Sequence, residues 1–207
     1  MKSHALKTGP LFLSVLLLLL TSGCGSKLLP LSQQSDVPAA PLPERIYQQP
    51  THNTFANARV GVFRFFEPPH QTDVGYDAAN SLYQALAQHT IFRTVISELN
   101  THSPDLVVQL DTARAKDYDL MITGSVDYYL DGTQYQESRV DVAIWAYDVS
   151  TAAIVWHAAA TARSQPKAGK DYYLYKTKGK IPLPAASLIE MNTEKFINMF
   201  LLTAASH

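Results

Sequence analysis

Hydrophobic and polar positions alternate in two different ways between residues 59 and 207, and the two patterns predict both strands and helices. Residues 59–66 are apolar on both faces, which is typical of a central strand covered on both sides. Residues 76–89 carry apolar side chains at helical spacing, and residues 92–96 form a short apolar run. The domain is therefore predicted to begin strand, helix, strand.

A second helix is predicted after Ser103 and Pro104. A serine N-cap followed by a proline in the first turn is a favoured helix start. The predicted buried stripe of this helix consists of Leu106, Val107, Leu110 and Ala113.

Residues 120–130, 139–149 and 153–162 each alternate between apolar and polar positions, with turn residues between them. Connections this short predict three neighbouring antiparallel strands. One face of the first of these strands is predicted to hold Leu120, Ile122, Val126, Tyr128 and Leu130, and the other face Met121, Thr123, Ser125, Asp127 and Tyr129.

Residues 164–184 are predicted to form a long polar loop, and residues 185–202 a closing helix. The element order is then β-α-β-α-β-β-β-α. This order predicts an α/β domain over residues 59–207, with a mixed sheet and helices packed on it. The predicted buried side of the closing helix consists of Leu188, Ile189, Phe196, Met199 and Phe200.

The N-terminal segment has the pattern of an export signal. Lys2 and Lys7 give it a positive start, and residues 11–20 form an apolar run of about half the length that a membrane-spanning helix needs. Small residues then lead to Cys24, the only cysteine in the chain. We therefore expect residues 1–23 to be a signal peptide and the protein to be exported.

The string LTSGC, which ends at Cys24, resembles the bacterial lipobox. The resemblance implies that the thiol of Cys24 is lipidated and that Cys24 becomes the new N-terminus. It departs from the usual pattern because Thr21 stands where the family has a leucine. The alternative is an ordinary signal peptide with a chance cysteine. In the lipoproteins that this segment resembles, an aspartate after the cysteine often retains the protein at the inner membrane, so the resemblance implies that Gly25 favours the outer membrane.

Residues 24–58 are predicted to be a proline-rich tether between the anchor and the domain. Prolines remove backbone donors and oppose helix formation. The alternative, which we weigh equally, is that Ile46, Tyr47 and Phe55 pack onto the domain as a strap.

The composition of the chain argues against several classes of function and site. The formal net charge is −1 for 207 residues, which argues against nucleic-acid binding, because neutralising phosphates requires a basic surface. A single cysteine excludes an intrachain disulfide and any site built from several thiolates. No cofactor is predicted.

Several strings resemble an envelope lipoprotein superfamily that includes the curli secretion lipoprotein CsgG, the N-terminal domain of TolB, PelC and LpoB. The strings are RVGVFRF, YDAANSLYQALAQ followed by IFRTVI, AKDYDLMITGSVDYY and VDVAIWAYDVSTAAIVWHA. Gly124-Ser125 corresponds to a GS after the start of the third strand. Ala152 departs from the family, which often has glycine in that turn. The chain also lacks sequence for the membrane hairpins of CsgG, so it is not expected to form that pore by itself.

The resemblance implies an accessory role in envelope assembly, secretion or polysaccharide export, performed by protein contact or as a homo-oligomeric ring and without catalysis. The expected location is the periplasmic face of the outer membrane. The alternatives are a regulator of a peptidoglycan synthase, an auxiliary component of a lipid transporter and, less favoured, an envelope hydrolase.

Candidate chemistry is sparse. If the protein were a hydrolase, its acid–base residues would come from the aspartates that cluster in the three predicted antiparallel strands and their turns. These are Asp127, Asp131, Asp141 and Asp148. We expect these carboxylates to be solvated, with Arg139 neutralising one of them. His157, on a predicted strand, is expected to be structural, and no metal site is predicted. Trp145 and Trp156 are expected to pack in the core or on a sheet face.

The loop over residues 165–180 combines cations with aromatic rings. Such a surface can contact anionic sugars, lipid headgroups or a partner protein. The alternative is an ordinary solvated loop whose tyrosines pack on the domain. The residues concerned are Lys167, Lys170, Tyr172, Tyr173, Tyr175, Lys176, Lys178 and Lys180.

Overall fold

A six-stranded mixed sheet is the framework of the computed structural model, which describes residues 43–50, 57–100 and 105–205. Cys24 and Phe55 lie outside the described residues. In chain order the described elements are β1 (Arg45–Gln48), β2 (Arg59–Phe63), α1 (Val74–His89), β3 (Thr94–Glu98), α2 (Leu106–Ala115), β4 (Leu120–Leu130), β5 (Ser138–Asp148), β6 (Ile154–Ser164), β7 (Asp171–Tyr172), β8 (Tyr175–Lys176) and α3 (Ala185–Ala205).

The strand order in the large sheet is β1-β6-β5-β4-β2-β3. Strand β2 is parallel to both β3 and β4, and the β4-β5-β6 meander is antiparallel. The predicted α/β class, the mixed sheet and the antiparallel final strands are thus confirmed.

The edge strand β1 lies in the segment for which a tether and a strap were both considered. It pairs antiparallel with β6, and Ile46 packs against the main core. For Ile46 and Tyr47 the strap interpretation is therefore correct.

Helices α1 and α3 cover one face of the sheet. Leu82 from α1 and Phe196 from α3 belong to one core cluster with Ile122, Ile144 and Trp156 of the sheet. Helix α2 covers the opposite face only near β2 and β4, where Leu110 and Ala113 pack against Phe63 and Met121. The predicted buried residues of α3 are all buried.

The buried stripe of α2 differs from the prediction. Val107 is 62% exposed, whereas Gln109 is fully buried and donates from Nε2 to the carbonyl oxygen of Arg64 at 2.9 Å. Val107 lies about 100° around the helix from the stripe formed by Gln109, Leu110 and Ala113. The prediction is therefore wrong for Val107 and missed Gln109, but it is confirmed for Leu110 and Ala113, and Leu106 packs partly buried against the same cluster. The described helix is capped by Asp105, and the predicted start at Ser103 and Pro104 lies outside the described residues.

The side chains of β4 do not alternate between the two faces along the whole strand as predicted, because the alternation shifts by one residue after Val126. The pairing with β5 shifts register between Val126 and Tyr128. Because of this bulge, Tyr129 packs against the main core, and the ring of Tyr128 lies under the guanidinium of Arg139 on the other face. Tyr128 was therefore predicted on the wrong face.

Some predicted boundaries also moved. Strand β2 ends at Phe63, three residues earlier than predicted, although the N–H of Phe66 still donates a hydrogen bond to the carbonyl of Gly124 at 2.8 Å. Strand β3 begins and ends two residues later than predicted, and the long loop contains the small β7-β8 hairpin. Strands β4 and β5 approach closely at Gly124, where an added Cβ would lie 2.5 Å from the carbonyl oxygen of Ala143.

Candidate functional site

The loop between β6 and α3 forms a narrow hairpin, which we call the Lys/Tyr hairpin and define as residues 167–180. At its base, Lys167 and Lys180 exchange two backbone hydrogen bonds of 2.8 Å. Further out, the N–H of Thr177 donates to the carbonyl of Lys170 at 2.8 Å, and the N–H of Lys170 donates to the Thr177 hydroxyl at 2.9 Å. The loop is thus an ordered projection with its own backbone pairing.

Two glycines keep the stem narrow. A Cβ added to Gly169 would lie 2.9 Å from the carbonyl oxygen of Thr177, and one added to Gly179 would lie 3.0 Å from the nitrogen of Gly169. A side chain at either position would push the two arms apart.

All eight residues that the sequence singled out in this loop are exposed, and the hairpin brings them together. The rings of Tyr172 and Tyr175 stack with their centroids 4.7 Å apart, and Lys176 pairs with Asp171 at 2.7 Å. Tyr173 and Leu174 form the turn between β7 and β8 and are 103% and 88% exposed. The alternative that the tyrosines pack on the domain is wrong, because Tyr172, Tyr173 and Tyr175 are all exposed.

Sequence reasoning missed Leu174, Tyr135 and Ile181, which extend this surface. Tyr135 and Ile181 are largely exposed and line a cleft of about 430 Å³ beside Lys167 and Lys180. Leu174 could have been found from its place between two tyrosines. Tyr135 could not, because it comes from the separate loop between β4 and β5.

The four aspartates do not form one cluster, since each has a structural contact of its own. Asp141 is 2% exposed and forms a buried ion pair with Arg139, with the Thr161 hydroxyl donating to it at 2.9 Å. The prediction that Arg139 neutralises one aspartate is confirmed. The prediction that the cluster is solvated is wrong for Asp141, because the sheet brings its partners to it.

The other three carboxylates contact a turn, a helix start and a hydroxyl group on the same strand. Asp148 accepts from the backbone N–H of Thr151 at 2.9 Å, and these turn contacts, led by the Ser150 hydroxyl, lower the pKa of Asp148. Asp131 accepts from the N–H of Ala185 at the start of α3, and Asp127 accepts from the Ser125 hydroxyl at 2.5 Å. Within the described ranges no three His, Cys, Asp or Glu side chains converge as a metal site.

His157 lies in a stack of side chains on the sheet face opposite α1 and α3. Its ring is sandwiched between Tyr47 at 4.8 Å and Trp145 at 5.4 Å, and the guanidinium of Arg45 lies 4.2 Å above Tyr47. Burial lowers the pKa of His157. The structural role expected for His157 and the packing expected for Trp145 are both seen. Trp156 is fully buried and stacks on Phe200.

Comparison with known proteins relates this fold to solved structures. No protein-family model matches the chain, and no curated protein matches it. PelC from Paraburkholderia phytofirmans is a dodecamer in two crystal forms, and both match this chain. The first has a TM-score of 0.56 and 19% identity, over 77% of this chain and 98% of that chain. The second has a TM-score of 0.54 and 18% identity, over 76% of this chain and 97% of that chain. The hypothetical protein CT253 from Chlamydia trachomatis matches with a TM-score of 0.50 and 9% identity over 72% of this chain and 99% of that chain.

The resemblance to the envelope lipoproteins is therefore supported at the level of fold for PelC. The match to the C-terminal domain of LpoB from Salmonella enterica covers 52% of this chain and 84% of that domain, with 15% identity and a TM-score of 0.43. Among the residues that the structure describes, no helix is long and apolar enough to cross a membrane.

Proposed function

We propose that this protein is an accessory lipoprotein of the bacterial envelope that acts by protein contact or as an oligomeric scaffold in secretion, assembly or polysaccharide export. The observation that carries the proposal is the fold shared with PelC over 98% of the PelC chain. PelC is described as a dodecamer, so a ring of this protein is the scaffold version that we favour. The proposal involves no bond made or broken.

The anchoring part of the proposal rests on Cys24 and on the signal sequence before it. Acyl chains on that thiol would hold the protein on the periplasmic face of the outer membrane, since each buried methylene contributes about 0.8 kcal/mol. The side chains of the domain agree with a contact role. Among the described residues, the buried charges of Arg139 and Asp141 pair with each other on β5, while Tyr173 and Leu174 at the turn of the Lys/Tyr hairpin are exposed.

The scaffold version is tested by the mass of the mature lipoprotein in mild detergent, measured by light scattering. We expect a single assembly of several protomers, because the proposed scaffold is a closed ring. A monomer at every concentration would contradict the ring and would favour a tethered regulator.

The anchor is tested separately by membrane fractionation of the wild type and a Cys24→Ser variant. We expect the wild type in the outer membrane and the variant outside it. A Cys24→Ser protein that still fractionates with the outer membrane would show that the thiol is not the anchor. This result would leave the measured mass, and hence the scaffold, untouched.

A further inference from the structure

Charge is separated between the hairpin segment and the rest of the chain. Residues 165–183 contain five lysines and one aspartate and so carry a net charge of +4. The whole chain carries −1, so the remaining residues carry −5. All five lysines are exposed. A protein with a modest overall charge thus presents one strongly cationic projection.

The tip of this projection is apolar. Two-residue hairpin turns favour glycine, asparagine and aspartate, but here the two positions are occupied by Tyr173 and Leu174. Neither side chain is covered, at 103% and 88% exposure. Exposing this much apolar surface at the outermost point is unfavourable in water and becomes favourable when the tip enters an apolar phase.

The arrangement of the flanking groups matches a membrane interface. Tyrosine has an apolar ring and a polar hydroxyl, and it is enriched at the headgroup level of bilayers. Lysine stems can lie along apolar surface while the ammonium groups reach the phosphates. Lys170, Lys176 and Lys178 lie on the two arms just behind the tip, where they would meet phosphates if Tyr173 and Leu174 were inserted.

We propose that the Lys/Tyr hairpin is a membrane-contact element, which inserts Tyr173 and Leu174 among the headgroups of an anionic lipid layer while its lysines bind the lipid phosphates. An anionic polysaccharide is less well matched. The rings of Tyr172 and Tyr175 stack on each other and do not offer those faces to a sugar. The paired stem fixes the hairpin before contact, so little conformational entropy is lost on insertion.

The test attaches an environment-sensitive NBD dye to the thiol introduced by Tyr173→Cys, at the tip of the Lys/Tyr hairpin, in the full chain. The labelled protein, purified from expressing cells, is mixed with vesicles of phosphatidylglycerol or of phosphatidylcholine. Wild-type protein treated with the same dye measures any signal from Cys24. A matched control carries the dye at Gln88→Cys, an exposed position on α1.

We expect a blue shift of the tip dye with phosphatidylglycerol, little shift with phosphatidylcholine and none at position 88. Replacing Lys170, Lys176 and Lys178 by serine should remove the shift without changing the melting temperature, because all three side chains are exposed. Salt at 0.5 M should weaken the shift, on the basis that the Debye length falls to about 4 Å. Acyl chains would attach the protein to both vesicles alike, so the dependence on headgroup reports the hairpin alone.

The proposal is overturned if the tip dye shows no shift with phosphatidylglycerol, or an equal shift with both lipids. It is also overturned if the triple serine variant keeps the full shift. Absence of a shift, together with binding of a soluble anionic polysaccharide that the triple variant loses, would assign the surface to a glycan instead. None of these outcomes bears on the oligomeric mass or on fractionation, so this inference and the proposed function fail independently.

Discussion

At Asp141 the environment of a single side chain is set by residues far apart in sequence. The carboxylate accepts from Arg139 two positions away and from Thr161 on the neighbouring strand, in a site where both charged side chains are 3% exposed. Arg139 also lies over the ring of Tyr128 at 4.6 Å. A charge placed there is tolerated because its neighbours compensate it, and removing one member leaves the other without full compensation.

Replacing Asp141 by asparagine should therefore be strongly destabilising. We expect the free energy of unfolding to fall by about 3–5 kcal/mol, because the buried guanidinium of Arg139 loses its counter-charge. Urea denaturation measures the change. Asp127→Asn is the matched control, since Asp127 is an exposed aspartate on the adjacent strand, and it should change stability by less than about 0.5 kcal/mol. Equal effects of the two substitutions would contradict the importance of burial.

Tyr118 couples the stability of the α2 side of the sheet to alkaline pH. Burial and the hydrogen bond that its hydroxyl donates to Glu98 raise the pKa of Tyr118 to about 12. The ring lies beside Gly61, where an added Cβ would be 2.6 Å away. The protonated phenol is thus favoured in the folded state more than in the unfolded chain.

The sign of the pH dependence follows from that difference. The contribution of Tyr118 is fully present below the unfolded pKa of about 10 and is lost as pH rises from about 10 to about 12. We expect Tyr118→Phe to be less stable than the wild type at pH 9, and the difference to shrink by pH 11. Urea titrations at the two pH values test this, and a difference that stays constant would contradict it.

Among the elements, the turn that joins β5 to β6 shows how local chemistry and strand pairing act together. Asp148 binds the backbone N–H and hydroxyl of Thr151, and the N–H of Ala152 donates to the carbonyl of Asp148 at 2.8 Å. Ala152 then has φ of 57°, in the left-handed region that favours glycine. The departure from the family pattern at Ala152 thus falls on a strained position.

Ala152→Gly should stabilise the protein by about 0.5–1 kcal/mol. Relief of the left-handed conformation contributes about 1–2 kcal/mol, and the greater freedom of glycine in the unfolded chain offsets part of it. The melting temperature should rise, as measured by circular dichroism. Ala153→Gly, next to it and without a positive φ, should lower stability instead. A lower melting temperature for Ala152→Gly would contradict the strain argument.

At the scale of the whole molecule, α3 packs on both the meander and the N-terminal half, which the pairing of β2 with β4 also joins. Phe200 stacks on Trp156 of β6 at 3.9 Å and meets Phe92, just before β3, edge to face at 5.8 Å. The indole N–H of Trp156 donates to the Thr203 hydroxyl at 3.2 Å, also on α3. One helical turn therefore contacts two parts of the chain that lie 64 residues apart in sequence.

Phe200→Ala should reduce the free energy of unfolding by about 3–5 kcal/mol, the usual effect of removing a buried phenylalanine. Chemical denaturation monitored by tryptophan fluorescence measures it, and Trp156 reports the site directly. Leu202→Ala on the same helix is the matched control, because Leu202 is 67% exposed. We expect less than about 1 kcal/mol there. Similar losses for both would show that α3 contributes through helix formation rather than through packing.

Periodicity alone predicted the α/β class, the meander and the buried side of α3, because a helix or strand that buries one face must repeat apolar residues at its own period. Local residue types also predicted the Lys/Tyr surface. Tertiary structure decided the rest. The burial of Gln109 depends on its bond to the carbonyl of Arg64, and the bulge after Val126 depends on pairing with β5. The burial of Asp141 and the stack at His157 need side chains from separate strands, and such distant partners leave no periodic signal in the sequence.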